Sequence, residues 1–367
     1  MVTKAQIAAE AERLFSYFQS AGAVPVDADI LLPAETILDL YGEDIRARAY
    51  TALDPVRGEM MLRPDFTLPV VQAHMAGGAD PARYCYRGEV FRKQDHLSDA
   101  ARPSEYTQVG FELFDRANPE GADAEVFALI ARALEGLPLR AVTGDIGILT
   151  AAVRGLSTTP ARRAALMRHI WRPARFRALL DRFSARTPAS PARAALLERL
   201  NAGDLPAQIA AAGPMIGLRS EGEIIARAQA LLGDADAAPI PDAEAGLLSN
   251  LLALAAPAPQ ALAALHHFAG QMPSLAPAVA RFAARLDALR ARGVEVDTLP
   301  FEASLGRASM EYYDGFVFTF TGAAGLPPYA SGGRYDALTA VLGAGRSIPA
   351  VGGVIRPHLV AQLRGAL

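Results

Sequence analysis

The feature that most constrains the fold is the separation of strand patterns from helix patterns along the chain. Alternating apolar and polar residues, which are typical of strands, occur at 83–92, 105–114 and 315–321. The stretch from about 148 to 292 is instead rich in Ala, Leu and Arg, and Pro and Gly divide it into short helices. We therefore predict one domain built from residues 1–145 and 293–367, with a mainly helical insert at 146–292.

Composition and charge narrow the function classes. The formal net charge of the 367 residues is −3, which gives no overall bias toward nucleic acid or an anionic membrane. Cys85 is the single cysteine, so no disulfide can form within the chain. The sequence has no signal-peptide pattern at its start and no apolar run of the roughly 18–20 residues that a membrane span needs. We expect a cytoplasmic protein that does not bind membranes.

One face of the predicted strand 105–114 carries groups suited to a small polar ligand. Gln108 and Glu112 share that face about 13 Å apart, and Gly110 between them leaves room for a ligand. Arg92, at the end of the neighbouring strand, is expected to face the same row. A guanidinium binds a carboxylate and a carboxylate or amide accepts from an ammonium group, so the row suits an amino acid. For an isolated hairpin, a solvated face with a cross-strand ion pair is the alternative.

Five ordered segments carry a more specific signal. They resemble the catalytic domain of class II histidyl-tRNA synthetases, and they lie at 62–67, 86–92, 108–114, 312–318 and 332–336. The resemblance covers most of residues 1–135 and 295–360 and is weak in the helical middle. It implies an α+β fold with an antiparallel sheet flanked by helices and a helical insert. It also implies a dimer interface at the first class motif, which ends near Pro33.

The same resemblance implies a histidine-binding site. We assign no metal site, because the histidines lack metal-ligand spacing, and no cofactor. Asp65 and Thr67 would lie near the ligand ammonium group, and Arg92 would face its carboxylate. The other implied positions are Gln108 and Glu112 in the floor, Tyr312 and Tyr313 over the imidazole, Gly332 and Gly333 in an adjoining turn, and Arg307 close to a synthetase arginine position.

Departures from the synthetase pattern argue against amino-acid activation. Gln94 stands where the second motif of the synthetases has an acid. In the third motif Leu359 stands at the arginine position, Arg356 comes three residues early, and Pro357 interrupts the motif. We expect no anticodon-binding domain after this motif and no tRNA ligand, since tRNA binding favours a basic surface. No catalytic residue is assigned.

A histidine pocket without the activating residues resembles the histidyl-tRNA-synthetase-like regulatory subunits of ATP phosphoribosyltransferase. This resemblance implies a short-form catalytic subunit as partner, histidine as effector, self-association as a dimer, and a role in the first step of histidine biosynthesis. Two alternatives stay open. One is a truncated enzyme that activates histidine as an adenylate, and the other is a scaffold whose pocket binds nothing.

Overall fold

The computed structural model describes residues 2–35, 49–93, 103–307, 312–322, 326–343 and 345–366. The chain divides into two compact units, one formed by Met1–Ala151 with Leu251–Leu367 and the other by Ala152–Asn250. The predicted insert at 146–292 is therefore divided, because residues 251–292 belong to the first unit. The reason is structural: Ala255–Pro257 forms a strand that pairs within the main sheet of that unit.

The regular elements alternate between strands and helices at both ends of the chain. The strands are β1 (Val24–Pro25), β2 (Leu31–Pro33), β3 (Thr51–Asp54), β4 (Gly58–Leu62), β5 (Ala82–Phe91), β6 (Glu105–Phe114), β7 (Arg140–Asp145), β8 (Ala255–Pro257), β9 (Pro300–Glu302), β10 (Phe316–Thr321), β11 (Ala330–Arg334) and β12 (Ala350–Ile355). The helices are α1 (Lys4–Ser20), α2 (Thr67–Met75), α3 (Pro119–Ala133), α4 (Ile146–Gly155), α5 (Pro160–Arg168), α6 (Pro173–Phe183), α7 (Pro191–Asn201), α8 (Leu205–Ala211), α9 (Glu221–Asp236), α10 (Asp242–Ala253), α11 (Ala258–Gln271), α12 (Ala276–Ala291), α13 (Asp336–Leu342) and α14 (Pro357–Arg364).

The strands of the first unit form a large sheet and a small one. Within the described ranges the large sheet has nine strands, in the order β1-β5-β6-β12-β11-β10-β7-β9-β8. Its pairs are antiparallel except β1 with β5 and β7 with β9. The small sheet is antiparallel, in the order β2-β4-β3. The predicted α+β class, an antiparallel sheet flanked by helices, is confirmed.

One face of the large sheet packs against helices and forms the hydrophobic core. Phe111 of β6 contacts Phe18 of α1, with ring centroids 5.5 Å apart. Phe318 of β10 packs edge-on against Phe127 of α3 at 5.4 Å. All four rings are fully or almost fully buried. Burial of each such side chain contributes about 1.5–3 kcal/mol, so this face anchors the sheet.

The same face carries a buried ion cluster. Asp123 of α3 lies between two guanidinium groups, 3.0 Å from that of Arg285 and 2.7 Å from that of Arg334. Arg285 also pairs with Asp145 at the end of β7, and Arg334 pairs with Asp336 at 2.9 Å. Asp123 and Arg285 are almost wholly removed from solvent. Each buried guanidinium therefore has two carboxylate partners within the chain.

One local prediction from the sequence is wrong. Gly332 and Gly333 were expected in a tight turn but lie inside β11. A Cβ on Gly332 would come within 2.4 Å of the Phe318 ring, and one on Gly333 within 2.8 Å of the Tyr313 ring. These glycines thus allow aromatic rings to pack against strand backbone, which is a second reason for glycine besides turns.

The second unit, taken by itself, is helical throughout its regular elements, from α5 to α9 with the ends of α4 and α10. Arg162 is buried there and binds Asp234 at 2.7 Å, while Arg193 binds the other oxygen of the same carboxylate at 2.7 Å. Phe176 and Leu180 form its core with Leu166. The helical character predicted for this stretch is confirmed.

Candidate functional site

A cavity of about 380 Å³ lies on the sheet face opposite the helical core. Its volume is within the range of small-molecule sites, about 300–1,000 Å³. Eight of the ten residues that the resemblance singled out line it: Asp65, Thr67, Arg92, Gln108, Glu112, Tyr312, Tyr313 and Gly332. Arg307 is buried but does not line the cavity, and neither does Gly333, which supports the Tyr313 ring from below.

Thr67 reaches the cavity because it does not cap its helix. Phe66 occupies the N-cap position of α2, and no side chain of the described residues caps this helix. The Thr67 hydroxyl instead donates to Glu112 Oε1 at 3.3 Å and lies 3.5 Å from the hydroxyl of Tyr312. Thr67, the first residue of α2, is thus a cavity residue.

Glu112 is the most enclosed acid of the cavity, at 2 % exposure. Its oxygens accept hydrogen bonds from the hydroxyls of Tyr86 at 3.1 Å, Tyr335 at 2.5 Å and Thr67. Burial raises the pKa of Glu112 to about 7, against the effect of these donors, and the nearby charge of Asp65 raises it further. A ligand N–H or ammonium group beside this carboxyl group would stabilise its ionised form.

The space around Glu112 comes from a different glycine than the sequence suggested. The gap at Gly110 is filled by the ring of Tyr86, since a Cβ there would lie 2.2 Å from its Cζ. That ring stacks on Phe66 at 4.4 Å. Gly352 lies directly across from Glu112 in the sheet, and a Cβ there would overlap the carboxylate at 1.4 Å. Gly352, rather than Gly110, therefore makes room for the functional group.

The other end of the cavity is basic. Arg92 lines it, and its Nε donates to the carbonyl of Pro64 at 2.8 Å. Arg356 lines it as well, and its guanidinium donates to the carbonyl of Pro328. Burial lowers the pKa of Arg356, the Tyr106 hydroxyl raises it, and the charge of Arg92 lowers it again. Two cations therefore lie close enough to repel each other.

His358 lies beside Arg356 as a neutral side chain. Burial lowers its pKa to about 4, and the charge of Arg356 acts in the same direction. Both ring nitrogens are buried without a hydrogen-bond partner among the described residues. The imidazole packs against the ring of Tyr106, with centroids 5.6 Å apart. It therefore keeps unused hydrogen-bonding capacity at the cavity wall.

Arg356 and His358 are the residues that sequence reasoning missed. Both fall in the third class motif, where they count as departures from the synthetase pattern. The signal that could have found Arg356 is the alternation of β12. Gly352 and Val354 face the cavity opposite Glu112 and Gly110, so Arg356, two residues further on, continues that face.

Tyr312 and Tyr313 complete the cavity wall, with ring centroids 4.6 Å apart and both side chains buried. Burial raises the pKa of Tyr313, so its hydroxyl stays protonated. The acids Asp65 and Glu112 act on Tyr313 from one side and Arg92 acts on it with the opposite sign. The cavity therefore has acidic and basic groups around one pair of aromatic rings, which is complementary to a zwitterion with an aromatic side chain.

The structure offers no sign of metal or membrane chemistry in the ranges it describes. Within those ranges, no group of three or more His, Cys, Asp or Glu side chains is placed to hold a metal ion. None of the described helices combines the length and the apolar character that crossing a membrane requires. The segment containing Gln94, where the second motif departs from the synthetases, lies outside the described residues.

Comparisons with known proteins agree with this geometry. The family model described as histidyl-tRNA synthetase matches residues 3–232 and 222–359. An ATP phosphoribosyltransferase regulatory subunit from Agrobacterium fabrum is 32% identical over 370 residues, covering 97% of each chain.

Solved structures are similar in fold. One, described as an ATP phosphoribosyltransferase regulatory subunit/histidyl-tRNA synthetase from Bacillus halodurans, has a TM-score of 0.66 and 21% identity, covering 98% of this chain and 79% of that one. A histidyl-tRNA synthetase from Nostoc has a TM-score of 0.62 and 16% identity, covering 98% and 71%.

The sheet, the cavity and the family model together define a chain of the histidyl-tRNA-synthetase type. Within that type, curated relatives about 32% identical over nearly the full length are named ATP phosphoribosyltransferase regulatory subunits. The chain belongs to the family of ATP phosphoribosyltransferase regulatory subunits.

Proposed function

We propose that this chain is a non-catalytic regulatory subunit of ATP phosphoribosyltransferase that binds histidine in the cavity. It would act with a short-form catalytic subunit in the first step of histidine biosynthesis and would transmit feedback by histidine. The observation that carries this proposal is the placement of Glu112, Gln108 and Arg92 in one cavity with Tyr312 and Tyr313. The proposal includes no tRNA ligand, no cofactor and a cytoplasmic location.

Each group of histidine has a complementary side chain in this cavity. The ammonium group would lie near Asp65 and Thr67, and the carboxylate near Arg92, where charge-assisted hydrogen bonds are strongest. Gln108 and Glu112 would form the floor. The imidazole would lie against the two tyrosine rings, where stacking and hydroxyl groups suit a flat heterocycle.

Regulation would follow from linkage between histidine and the state of the complex. Histidine can shift the catalytic subunit toward a less active state only if it binds better to the complex in that state. Ligands that favour the active state must then weaken histidine binding by the same factor. The proposal therefore includes a measurable reciprocal effect.

The direct test is co-expression of this chain with a short-form catalytic subunit, followed by an activity assay with and without histidine. Arg92→Ala and Glu112→Ala should abolish inhibition and leave assembly of the complex intact. Arg116→Ala is the control, because Arg116 is exposed and pairs with Asp80 outside the cavity. If both cavity variants stay fully sensitive to histidine, the assignment of the pocket is wrong.

Self-association as a dimer is a separate part of the proposal and follows from the resemblance at the first class motif. Light scattering on the isolated chain would measure it directly. A mass of one chain at all accessible concentrations would contradict it without affecting the proposed pocket.

One observation favours the alternative of a histidine-activating enzyme. Arg356 lines the cavity beside Arg92, so two guanidinium groups face the ligand although the third motif departs from the synthetase pattern. Exchange of pyrophosphate into ATP in the presence of histidine would detect adenylate formation. Clear turnover would replace the non-catalytic role, whereas no turnover together with histidine binding favours the regulatory role.

A further inference from the structure

Arg356 is a cation in the cavity wall whose partners within the chain are neutral. Its guanidinium donates to the Pro328 carbonyl, and the neighbouring Tyr106 raises its pKa. No carboxylate of the described ranges forms an ion pair with it. Arg285 and Arg334, on the opposite face of the sheet, each bind two carboxylates. Partial burial of a cation that has no carboxylate partner among the described residues is energetically unfavourable. Because Arg356 lines the cavity, an anion that pairs with it would be a ligand bound there.

The position of Arg356 places it beside the predicted ligand residues. Ile355 lies opposite Val109 in the sheet, so the next residue, Arg356, comes opposite Gln108. Tyr106 lies near both, because its hydroxyl accepts from Gln108 Nε2 at 3.5 Å and it raises the pKa of Arg356. Gln108 lies four residues from Glu112 on β6, about 13 Å by strand geometry. Arg356 therefore belongs to the end of the cavity that is remote from the buried acid.

Arg92 and Arg356 act on each other as like charges across this end of the cavity. An anion bound between them would reduce this repulsion and would be attracted by both guanidinium groups. His358 adds no charge there, and its buried nitrogens have no partner among the described residues, so it can donate one hydrogen bond. The site is thus built from two guanidinium groups and a neutral donor.

We propose that Arg356, together with Arg92, binds the α-carboxylate of the amino-acid ligand, and that His358 supplies a further hydrogen bond to it. This inference rests on the proposed function, because it concerns the same pocket. It adds two residues to the set implied by the synthetase motifs. It also makes the carboxylate, and not the imidazole alone, a group that the pocket selects.

The test compares histidine with histidinol, which has a hydroxymethyl group in place of the carboxylate, by calorimetry on the full chain. The wild-type chain should prefer histidine by about 10- to 100-fold in Kd, the usual range for a charge-assisted contact. Arg356→Met should lose most of this preference, because the affinity for histidine should fall while the affinity for histidinol changes little. Arg356→Lys should keep part of it, since lysine keeps the charge but lacks the planar fork.

The matched control is Arg364→Met, at the end of helix α14, which begins directly after Arg356. Arg364 faces Glu10 at 3.5 Å and does not line the cavity. It should keep the full preference for histidine. Thermal melting of each variant without ligand verifies that the fold survives. Because Arg356→Lys keeps a donor near Pro328, it tests the proposal even if Arg356→Met folds poorly.

The outcomes separate this inference from the proposed function. If the wild-type chain binds histidine and Arg356→Met keeps the full preference, the inference is overturned and the proposed function stands. Equal weakening of both ligands would also overturn it, because Arg356 would then only shape the cavity. Binding of inorganic phosphate through Arg356 without competition from histidine would also overturn it, because this end of the cavity would then bind a different anion. If the wild-type chain binds neither ligand, the proposed function fails as well.

Discussion

The two faces of the large sheet both carry charged side chains, but they differ in where those charges find partners. On the helical face Asp123 binds both Arg285 and Arg334, so the charges are paired within the chain. On the cavity face Glu112 is held by three hydroxyl groups, and Arg356 donates to a backbone carbonyl. The first arrangement serves stability. The second leaves Arg356 without a carboxylate partner among the described residues, so that a ligand can supply one.

This difference gives a general criterion for charges in a protein interior. An ion cluster closed on itself is expensive to break, because removing one member leaves a buried charge without a partner. A buried charge whose hydrogen-bond partners are all neutral destabilises the ligand-free protein. Its presence therefore needs an explanation other than stability. The following predictions test whether the two faces divide in this way.

The largest effect is expected from Asp123→Ala on the helical face. It leaves two buried guanidinium groups short of a carboxylate, so the free energy of unfolding should fall by about 3–5 kcal/mol. Urea denaturation measures this loss. Asp287→Ala is the control, since Asp287 is exposed on α12 and pairs only with Arg290 in the described ranges; it should cost less than about 1 kcal/mol. Similar losses in both variants would contradict a stabilising role for the cluster.

The second effect concerns pH and Glu112. Its pKa is about 7 in the folded chain and 4.5 as the ordinary value, so the folded state holds the proton more tightly. The stability that the protonated form contributes is present below pH 4.5 and is lost as pH rises through about 7. The side chain introduced by Glu112→Gln cannot ionise, so this variant does not lose stability in that way. Relative to the wild-type chain, its free energy of unfolding should rise between pH 5 and pH 8, by on the order of 3 kcal/mol at most.

Denaturation of the two proteins at both pH values measures this gain, and comparing them cancels the contribution of Asp314, whose pKa burial also raises to about 7. A constant difference between the proteins across this range would show that Glu112 is not the group that titrates. Addition of histidine at pH 8 should stabilise the wild-type chain and have little effect on Glu112→Gln.

A third, smaller effect is expected from Gly352→Ala. The added Cβ overlaps the Glu112 carboxylate, so the side chain must move or the strand must shift. Overpacking of this kind costs about 1–3 kcal/mol. Calorimetry should show weaker histidine binding as well. Gly270→Ala is the control, because a Cβ on that helical glycine meets no described atom within 4 Å; unchanged binding in both variants would mean that Glu112 does not contact the ligand.

The smallest effect is expected from Thr67→Val, which keeps the shape of the side chain and removes one hydroxyl. A single hydrogen bond contributes about 0.5–1.5 kcal/mol, so histidine affinity should fall by about 2- to 10-fold. Thr321→Val on β10 is the same substitution outside the cavity and should leave affinity unchanged. Equal effects of the two changes would argue against a ligand contact of Thr67.

The sequence was informative where local geometry decides the outcome. The alternation of β6 correctly placed Gln108 and Glu112 on one face, and the hairpin with β5 has the expected pairing, with Gly88 opposite Gln108. Strand alternation needs no information from distant residues, so it can be read directly. The motif resemblance then brought Tyr312 and Tyr313 to the same cavity, which periodicity alone could not do.

The sequence failed where long-range packing decides. Gly332 and Gly333 allow a turn and a close ring contact equally well, and only the neighbouring strands reveal which applies. Likewise, the ring of Tyr86 on the neighbouring strand fills the space beside Gly110, which the sequence of β6 alone does not reveal. Alternation along β12 puts Arg356 on one face with Gly352 and Val354, but only the pairing of β12 with β6 shows that this face lines the cavity. These strands are separated by more than 200 residues, so their register is not a local property.

Tyr335 has a consequence for anyone who wishes to engineer this pocket. Its hydroxyl donates to Glu112 on the cavity face, while its chain neighbours Arg334 and Asp336 hold the ion cluster on the other face. A library that varies this three-residue segment would select for folding and for ligand recognition at once and would confuse the two. Diversity placed at Gln108 and Val354, which line the cavity without entering the cluster, would explore new effectors on an unchanged scaffold.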